Sequence, residues 1–214
     1  MKKYLIAGSL ILMVVGYLFW SSSSSTESSE VFPAEGIEQI EINMEEWDVQ
    51  IVQTKEPTVK VFAEGLGRTG SVRAKVEEGV LQVSQVTFEK GLFDGFSVKN
   101  NQKMKIVLPE RYPNNLKIVT KSGDIQLDKI SLINLSATST SGDIYLQKIE
   151  TKDCKKLKCL TDSGDIDVSF KSEPTNLRLN TSAKELNNEL GISKFGKGEK
   201  QLDLVSPNGT ISIF

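Results

Sequence analysis

Apolar and polar residues alternate along most of this chain, one position apart. After residue 30 the alternation runs through short segments that end at Gly, Asn, Asp or Pro, and no amphipathic helical pattern interrupts them. Alternation of this kind places successive side chains on opposite faces of a strand. The pattern therefore predicts an all-β chain in which one face of each strand is buried.

The sequence Ser-Gly-Asp-Ile occurs three times, beginning at Ser122, Ser141 and Ser163. Each copy separates two alternating runs, and two degenerate units extend the series to five units of about 20 residues. Self-similarity at a short, nearly fixed period is typical of a β-solenoid, in which each turn buries its apolar face against the next. We predict clear solenoid repeats over residues 116–214. The predicted structural turn residues are Ser122, Gly123, Asp124, Ser141, Gly142, Asp143, Ser163, Gly164, Asp165, Asn208 and Gly209.

Each loop has a predicted chemistry. The glycine is expected to supply a backbone conformation with positive φ, and the flanking Ser and Asp to bond nearby amides. Aligned on loops of four residues, the fourth unit turns at Ser182–Glu185 and places Leu179 in one inward column with Cys159. A hydroxyl residue precedes each loop on the inward face, which predicts a column of Thr120, Ser139, Thr161, Thr181 and Ser206.

Upstream of the repeats the same alternation continues, but the turns between its segments are less clearly marked in the sequence. Glu77-Glu78-Gly79 lies between two Val-rich runs and predicts a hairpin. Met104, Ile106 and Leu108 lead into Pro109, where a strand is expected to stop.

The amino-terminal segment predicts a membrane anchor. Lys2 and Lys3 precede a mostly apolar stretch over residues 4–20, which as a helix would extend about 25 Å and span the hydrocarbon core of a bilayer. Basic residues before it favour a cytoplasmic amino end and an extracellular remainder. A cleaved secretory signal is the alternative, with the domain then secreted. No cysteine follows the stretch, which excludes a lipoprotein anchor.

These features divide the chain into three parts. Residues 1–20 form the cytoplasmic Lys pair and the transmembrane anchor, and residues 21–30 a Ser-rich linker expected to be a flexible tether. Residues 31–214 form the extracellular β-solenoid domain, which is long enough to bury a core of its own.

Composition excludes several classes of function. Twenty-six basic and 28 acidic residues give a net charge of −2, which is not the charge of a nucleic-acid-binding protein. The chain has no histidine, so its two cysteines, Cys154 and Cys159, do not predict a zinc site. A disulfide between them must be considered in an exported domain, but the repeat register places Cys159 inward as a buried apolar residue.

Carboxylates offer a metal site and an enzyme as alternatives. Asp124, Asp143 and Asp165 could stack into an acidic ladder that binds Ca²⁺, but an Asp after a turn glycine has an ordinary structural role. Glycoside hydrolysis would need two carboxylates facing one groove, for which Asp128, Asp165 and Asp167 are available. No phosphate-binding glycine loop is present. The sequence predicts no catalytic residue, no cofactor and no metal.

Two stretches are candidate contact surfaces. An aromatic loop carries Phe88, Leu92, Phe93 and Phe96, which could contact a protein or membrane, or could instead fold back and cap an open end of the solenoid. A basic connection carries Lys152, Lys155, Lys156 and Lys158, which could bind an anionic wall polymer or lipid headgroups, or could be a solvated loop.

The Ser-Gly-Asp-Ile repeats, the Lys105-to-Pro109 strand and the Trp47-to-Val52 and Val59-to-Val61 runs resemble the bacterial putative-adhesin β-repeat family. Its LiaG-like members, with a short anchor and one outer domain, are similar in layout. The resemblance covers roughly residues 31 to 214 and implies a right-handed β-helix-like domain of unknown function, located in the cell envelope and associated in some members with envelope stress. It brings no defined activity or ligand.

Taken together, these observations predict a membrane-anchored, non-enzymatic interaction module that binds an envelope protein or an anionic wall polymer. An enzyme acting on envelope polysaccharide, and a purely structural or sensory accessory domain, are the alternatives.

Overall fold

A computed structural model describes residues 26–66, 71–86, 102–110, 112, 115–191 and 193–214. These residues form fifteen β-strands, and no helix occurs among them. The all-β prediction is confirmed.

The strands form two walls that enclose one core. Wall A contains β1 (Thr26–Pro33), β3 (Asp48–Thr54), β4 (Thr58–Leu66), β7 (Lys103–Pro109), β9 (Ile125–Asp128), β11 (Ile144–Ile149) and β13 (Ile166–Phe170). Wall B contains β2 (Gln39–Asn43), β5 (Ser71–Glu77), β6 (Val80–Val86), β8 (Asn115–Val119), β10 (Asn134–Ser139) and β12 (Lys156–Thr161). Two long strands, β14 (Leu177–Asn188) and β15 (Lys200–Ile213), run through both walls.

Hydrogen bonds join the walls into one continuous sheet. Wall A has the order β1-β4-β7-β3-β9-β11-β13, and wall B has the order β5-β6-β2-β8-β10-β12. The first part of β15 pairs with β12 and its last part with β13, so this strand connects the two walls. The pairs β2–β3, β8–β9, β10–β11 and β12–β13 each form one rung, and successive rungs stack in parallel. The predicted solenoid-like repeat is confirmed.

Alternation along each strand builds the core. In β7, for example, Met104, Ile106 and Leu108 are fully buried, whereas Lys103 and Lys105 are exposed. The inward side chains of both walls belong to one apolar cluster. Burial of each large aliphatic side chain contributes roughly 1.5–3 kcal/mol, so this cluster is the main source of stability.

The last two units are stacked in the reverse of their chain order. Among the described strands β14 pairs only with β15 and forms the end of the stack, where Arg178 also forms a bridge with Lys194, while β15 is inserted between β14 and the β12–β13 rung. The predicted four-residue loop in the fourth unit is wrong. Ala183 pairs with Ser206 and Leu186 pairs with Ile211, so two residues separate the paired positions in β14 and four separate them in β15. No rung stacks beyond β14 in the described chain, so a shorter turn suffices there.

The start of the first strand differs from the predicted boundary. Residues 26–30 of the predicted linker belong to β1, where Ser29 pairs with Phe62 and Glu30 with Val61. Antiparallel pairing uses backbone groups, which polar residues supply as well as apolar ones. Residues 4–20, the predicted anchor, lie outside the described residues. Within the described ranges, no helix is long and apolar enough to cross a bilayer.

The predicted hairpin is confirmed. β5 and β6 are antiparallel, and Glu77 pairs with Val80 across a two-residue turn. Glu78 and Gly79 both have positive φ, at 49° and 78°. Two left-handed residues form the turn whose twist matches that of a hairpin.

Candidate functional site

The aromatic loop lies outside the described residues. Phe88, Leu92, Phe93 and Phe96 fall within residues 87–101, so their role as a contact surface or cap stays a prediction.

The turn glycines form a column at one corner of the stack. Gly123, Gly142, Gly164 and Gly209 are buried, and none of them has positive φ. The expected role of these glycines in supplying positive φ is therefore wrong. A β-carbon on Gly142 would lie 2.2 Å from the carbonyl oxygen of Gly123, and one on Gly164 would lie 2.2 Å from that of Gly142. Glycine is needed because adjacent rungs approach too closely for any side chain.

A column of hydroxyl groups lies directly inside the glycines. The Thr161 hydroxyl accepts a 3.0 Å hydrogen bond from the amide of Gly164 and donates one of 3.0 Å to the carbonyl of Gly142. The same two bonds recur at Ser139, which is also buried. Thr181 is not in this column, because it pairs with Leu204, and Leu179 likewise pairs with Leu202 rather than lying beside Cys159. The column comprises Thr120, Ser139, Thr161 and Ser206.

The loop aspartates form a ladder on the outer side of the same corner. The amide of Asp143 donates a 2.9 Å hydrogen bond to Oδ1 of Asp124, and the amide of Asp165 donates one of 2.8 Å to Oδ1 of Asp143. Asp48, which was not recognised from the sequence, accepts at 3.0 Å from Asp124, and Thr210 ends the series. Burial raises the pKa of Asp124, and the charges of Asp48 and Asp143 add to the rise, while the bond from the Asp143 amide opposes it.

The ladder has a structural role in every rung, since each carboxylate binds the backbone of the next. No group of three or more potential metal-ligating side chains occurs within the described ranges.

Both cysteines are free and buried. Cys159 is paired in register with Ala137 and Leu204 in the core, and burial raises the pKa of its thiol to about 12. Cys154 is buried beneath the connection that precedes β12, where burial also raises its pKa.

The four lysines of the basic connection form an exposed lysine patch, defined as Lys152, Lys155, Lys156 and Lys158. The connection is held in place from below, because Nζ of Lys200 donates to the carbonyls of Thr151 at 2.6 Å and Lys152 at 2.7 Å. Lys156 forms a 3.5 Å ion pair with Asp203, whereas the other three form none with described residues.

Both outer faces carry charges of both signs. On wall B, Lys117 of β8 forms an ion pair with Glu41, and Lys156 of β12 forms one with Asp203. On wall A, Lys103 and Lys105 of β7 are exposed on the same face as the aspartates of the ladder. The lysine patch is therefore a local cluster of positive charge, not part of a uniformly basic face.

A family model matches the chain over residues 37–188 and again over 114–213. The chain belongs to the Toastrack DUF4097 family. The two matches overlap across the rungs, as expected for a repeat that can be aligned in more than one register. The resemblance to a bacterial β-repeat family of unknown function is confirmed, and family membership assigns no catalytic residue.

Three solved structures resemble this chain to different degrees. A putative cell adhesion protein from Clostridium sporogenes is 18% identical with a TM-score of 0.66, over 89% of this chain and 99% of that one. A putative adhesin from Bacteroides fragilis is 12% identical with a TM-score of 0.37, over 89% and 98%. A putative lipid binding protein from Parabacteroides distasonis is 16% identical with a TM-score of 0.27, over 89% and 98%. The first likeness shows a shared fold. No curated relative matches the chain.

Sequence reasoning missed the first rung of the ladder. The pairing of Asn43 with Val119 and of Val49 with Ile125 aligns the loop Glu45-Glu46-Trp47-Asp48 with Lys121-Ser122-Gly123-Asp124. Trp47 occupies the glycine position, so the Ser-Gly-Asp-Ile motif is absent from this loop. The conserved spacing between Ile42 and Val49, equal to that between Ile118 and Ile125, was the available signal.

Proposed function

We propose that this protein is a membrane-anchored, extracytoplasmic and non-enzymatic interaction module that binds an anionic polymer of the cell envelope through the lysine patch. The observation that carries the proposal is the exposed position of four lysines on a connection that Lys200 holds in place. The anchor at residues 4–20 and a right-handed coiling of the rungs are parts of the same proposal.

The geometry favours binding of an extended anion. Lys156 and Lys158 point outward from one strand, two positions apart, which separates them by about 6.7 Å. Lys152 and Lys155 extend this row along the connection. Because Lys200 and the buried Cys154 already hold the connection, little ordering entropy is lost when the patch binds. Lysines present compact charges that suit phosphate groups repeated along a polymer.

The experiment is co-sedimentation of residues 1–214 with purified cell-wall material in mild detergent, and separately with anionic phospholipid vesicles after the detergent has been removed. We expect binding to wall material that weakens as salt rises and that is lost in Lys155→Glu/Lys156→Glu. The matched control is Lys55→Glu/Lys129→Glu, which reverses two exposed lysines away from the patch. Equal loss in both double variants, or binding to vesicles alone, would contradict the assignment to a wall polymer.

A further inference from the structure

A polar hollow opens on the outer face of wall A, away from the lysine patch. Its volume is about 320 Å³, and it lies over β11, β9, β3 and β7 at the start of the aspartate ladder. The polar side chains of Asp48, Gln50, Lys105, Asp124, Gln126 and Tyr145 are among those that line the hollow.

Two parallel rows of side chains form the floor of the hollow. Lys105, Gln50, Gln126 and Tyr145 occupy equivalent outward positions in four adjacent strands. Asp48 and Asp124 lie in the second row, two residues earlier along β3 and before β9. Rungs are about 4.8 Å apart and the rows about 6.7 Å apart, so the floor is a small grid of amides and carboxylates with an aromatic ring at one end and Lys105 at the other.

The carboxylates of the hollow are already oriented. Oδ1 of Asp48 and of Asp124 each accept a backbone amide of the next rung, at 3.0 Å and 2.9 Å. These bonds fix each carboxylate and leave its Oδ2 free to accept from a ligand. Gln50 and Gln126 form no side-chain hydrogen bond with the described residues, so their amides offer both donors and acceptors.

The aromatic ring is fixed as well. The hydroxyl of Tyr145 donates a 2.9 Å hydrogen bond to Oδ2 of Asp143, which lies outside the hollow in the same ladder. Its orientation is thus set before any ligand arrives, and the ring offers an apolar surface beside the polar grid.

We propose that this hollow binds a short segment of a glycan that contains N-acetylated amino sugars. Sugar hydroxyls donate to carboxylates, the acetamido group pairs with a glutamine amide in both directions, and the C–H face of a pyranose packs on an aromatic ring. A pyranose unit is also comparable in length to one rung, so successive units can contact successive strands. Three carboxylates and two lysines line the hollow. It therefore has no excess of positive charge to hold a polyanion, which separates this site from the lysine patch.

The test is calorimetric titration of residues 1–214, in mild detergent, with chitohexaose, its deacetylated form and maltohexaose. We expect saturable binding of the N-acetylated hexamer that changes little with salt and weakens roughly tenfold or more in Gln126→Ala and in Tyr145→Ala. The matched control is Gln147→Ala, at an exposed position of the strand β11 that also carries Tyr145. This variant should bind the N-acetylated hexamer as tightly as the parent protein does.

Each other outcome counts against the proposal. No saturable binding to the N-acetylated hexamer overturns the site, and equally tight binding of maltohexaose overturns the assignment to amino sugars. An equal loss in Gln147→Ala overturns the location. Because Gln126→Ala removes only an outward amide, it tests the site even if Tyr145→Ala does not fold. Lys155→Glu/Lys156→Glu should bind the hexamer normally, so failure here is distinct from failure of the polymer-binding proposal.

Discussion

Gly142 packs so closely on Gly123, one rung earlier, that a β-carbon on Gly142 would lie 2.2 Å from the carbonyl oxygen of Gly123. This contact repeats up the stack, with Gly164 against Gly142 and Gly209 against Gly164. Close stacking brings each hydroxyl residue within reach of two rungs and each aspartate within reach of the next amide. The corner is thus a set of three adjacent columns that depend on one another.

Replacement of Gly142 by valine should be far more damaging than replacement of Ala183. Gly142→Val forces a side chain against the neighbouring backbone and should lower the free energy of unfolding by about 3 kcal/mol or more. Ala183 lies in the terminal strand β14, and Ala183→Val should change the free energy of unfolding by about 1 kcal/mol or less. Urea denaturation of both variants measures the difference. Equal effects would contradict the stacking order of the glycine column.

Loss of the Thr161 hydroxyl should leave two buried backbone groups unsatisfied. Thr161→Val keeps the shape but removes the bonds to Gly164 and Gly142, and should cost about 2–4 kcal/mol of unfolding free energy. Thr161→Ser keeps the hydroxyl and should cost about 1 kcal/mol or less. Thermal and urea denaturation give these values. Thr138→Val, on the outer face of wall B, is the control; if it matched Thr161→Val, the hydroxyl column would have no special role.

The raised pKa of Asp124 predicts a pH dependence of stability. The folded pKa lies above the ordinary value of 3.8, so the folded state holds more protons between the two values, and the Asp124 contribution to stability falls as pH rises through that window. Asp124→Asn should therefore be at least as stable as the parent at neutral pH, and this advantage should shrink as pH falls to 3.8 and below.

Urea denaturation at neutral pH and below 3.8 tests the Asp124 prediction. Asp124→Ala should be less stable at both values, since it cannot accept the Asp143 amide. Asp162→Asn replaces an exposed carboxylate and serves as the control. If Asp124→Asn were as unstable as Asp124→Ala at neutral pH, burial of the Asp124 charge would not be the cause of the effect.

Lys148 should be better replaced by glycine. It has a φ of 52° at the bulge between Leu146 and Ile149, a conformation that is costly for a residue with a β-carbon. Lys148→Gly should stabilise the fold by about 0.5–1 kcal/mol after the loss of chain entropy is included. Lys155→Gly, which does not start from positive φ, should destabilise, and stabilisation by both would point to charge as the cause instead.

The repeat and the loop positions were predictable from sequence because local composition specifies them. Ser-Gly-Asp-Ile marked the turns at Gly123, Gly142 and Gly164, and alternation identified the inward residues. The reason for the glycines was not predictable, since it lies in a contact between residues 19 apart in the chain, Gly142 and Gly123. The local turn preferences of glycine predict a positive φ, but the backbone has no positive φ at these positions.

The hollow and the spatial order of the last strands were beyond the sequence for a similar reason. Gln50, Gln126 and Tyr145 come from three separate rungs, and only the register places them in one row. β14 and β15 carry the same alternating pattern. The residues that distinguish them are Ser206 and Gly209 of β15, and these indicate the order only once the close contact between rungs is known. Trp47 in a glycine position likewise concealed the first rung.

The insertion of β15 between β14 and the β12–β13 rung determines when this domain can fold during synthesis. β15 is the only described strand that pairs with β14, which otherwise contacts just the short segment around Lys194, so β14 cannot take its final place while residues 200–213 are still in the ribosome. The rungs from β2 to β13 can form earlier, because their partners precede them or are close in sequence. The carboxyl-terminal part of the domain therefore assembles in one late step, in which a single strand completes both walls.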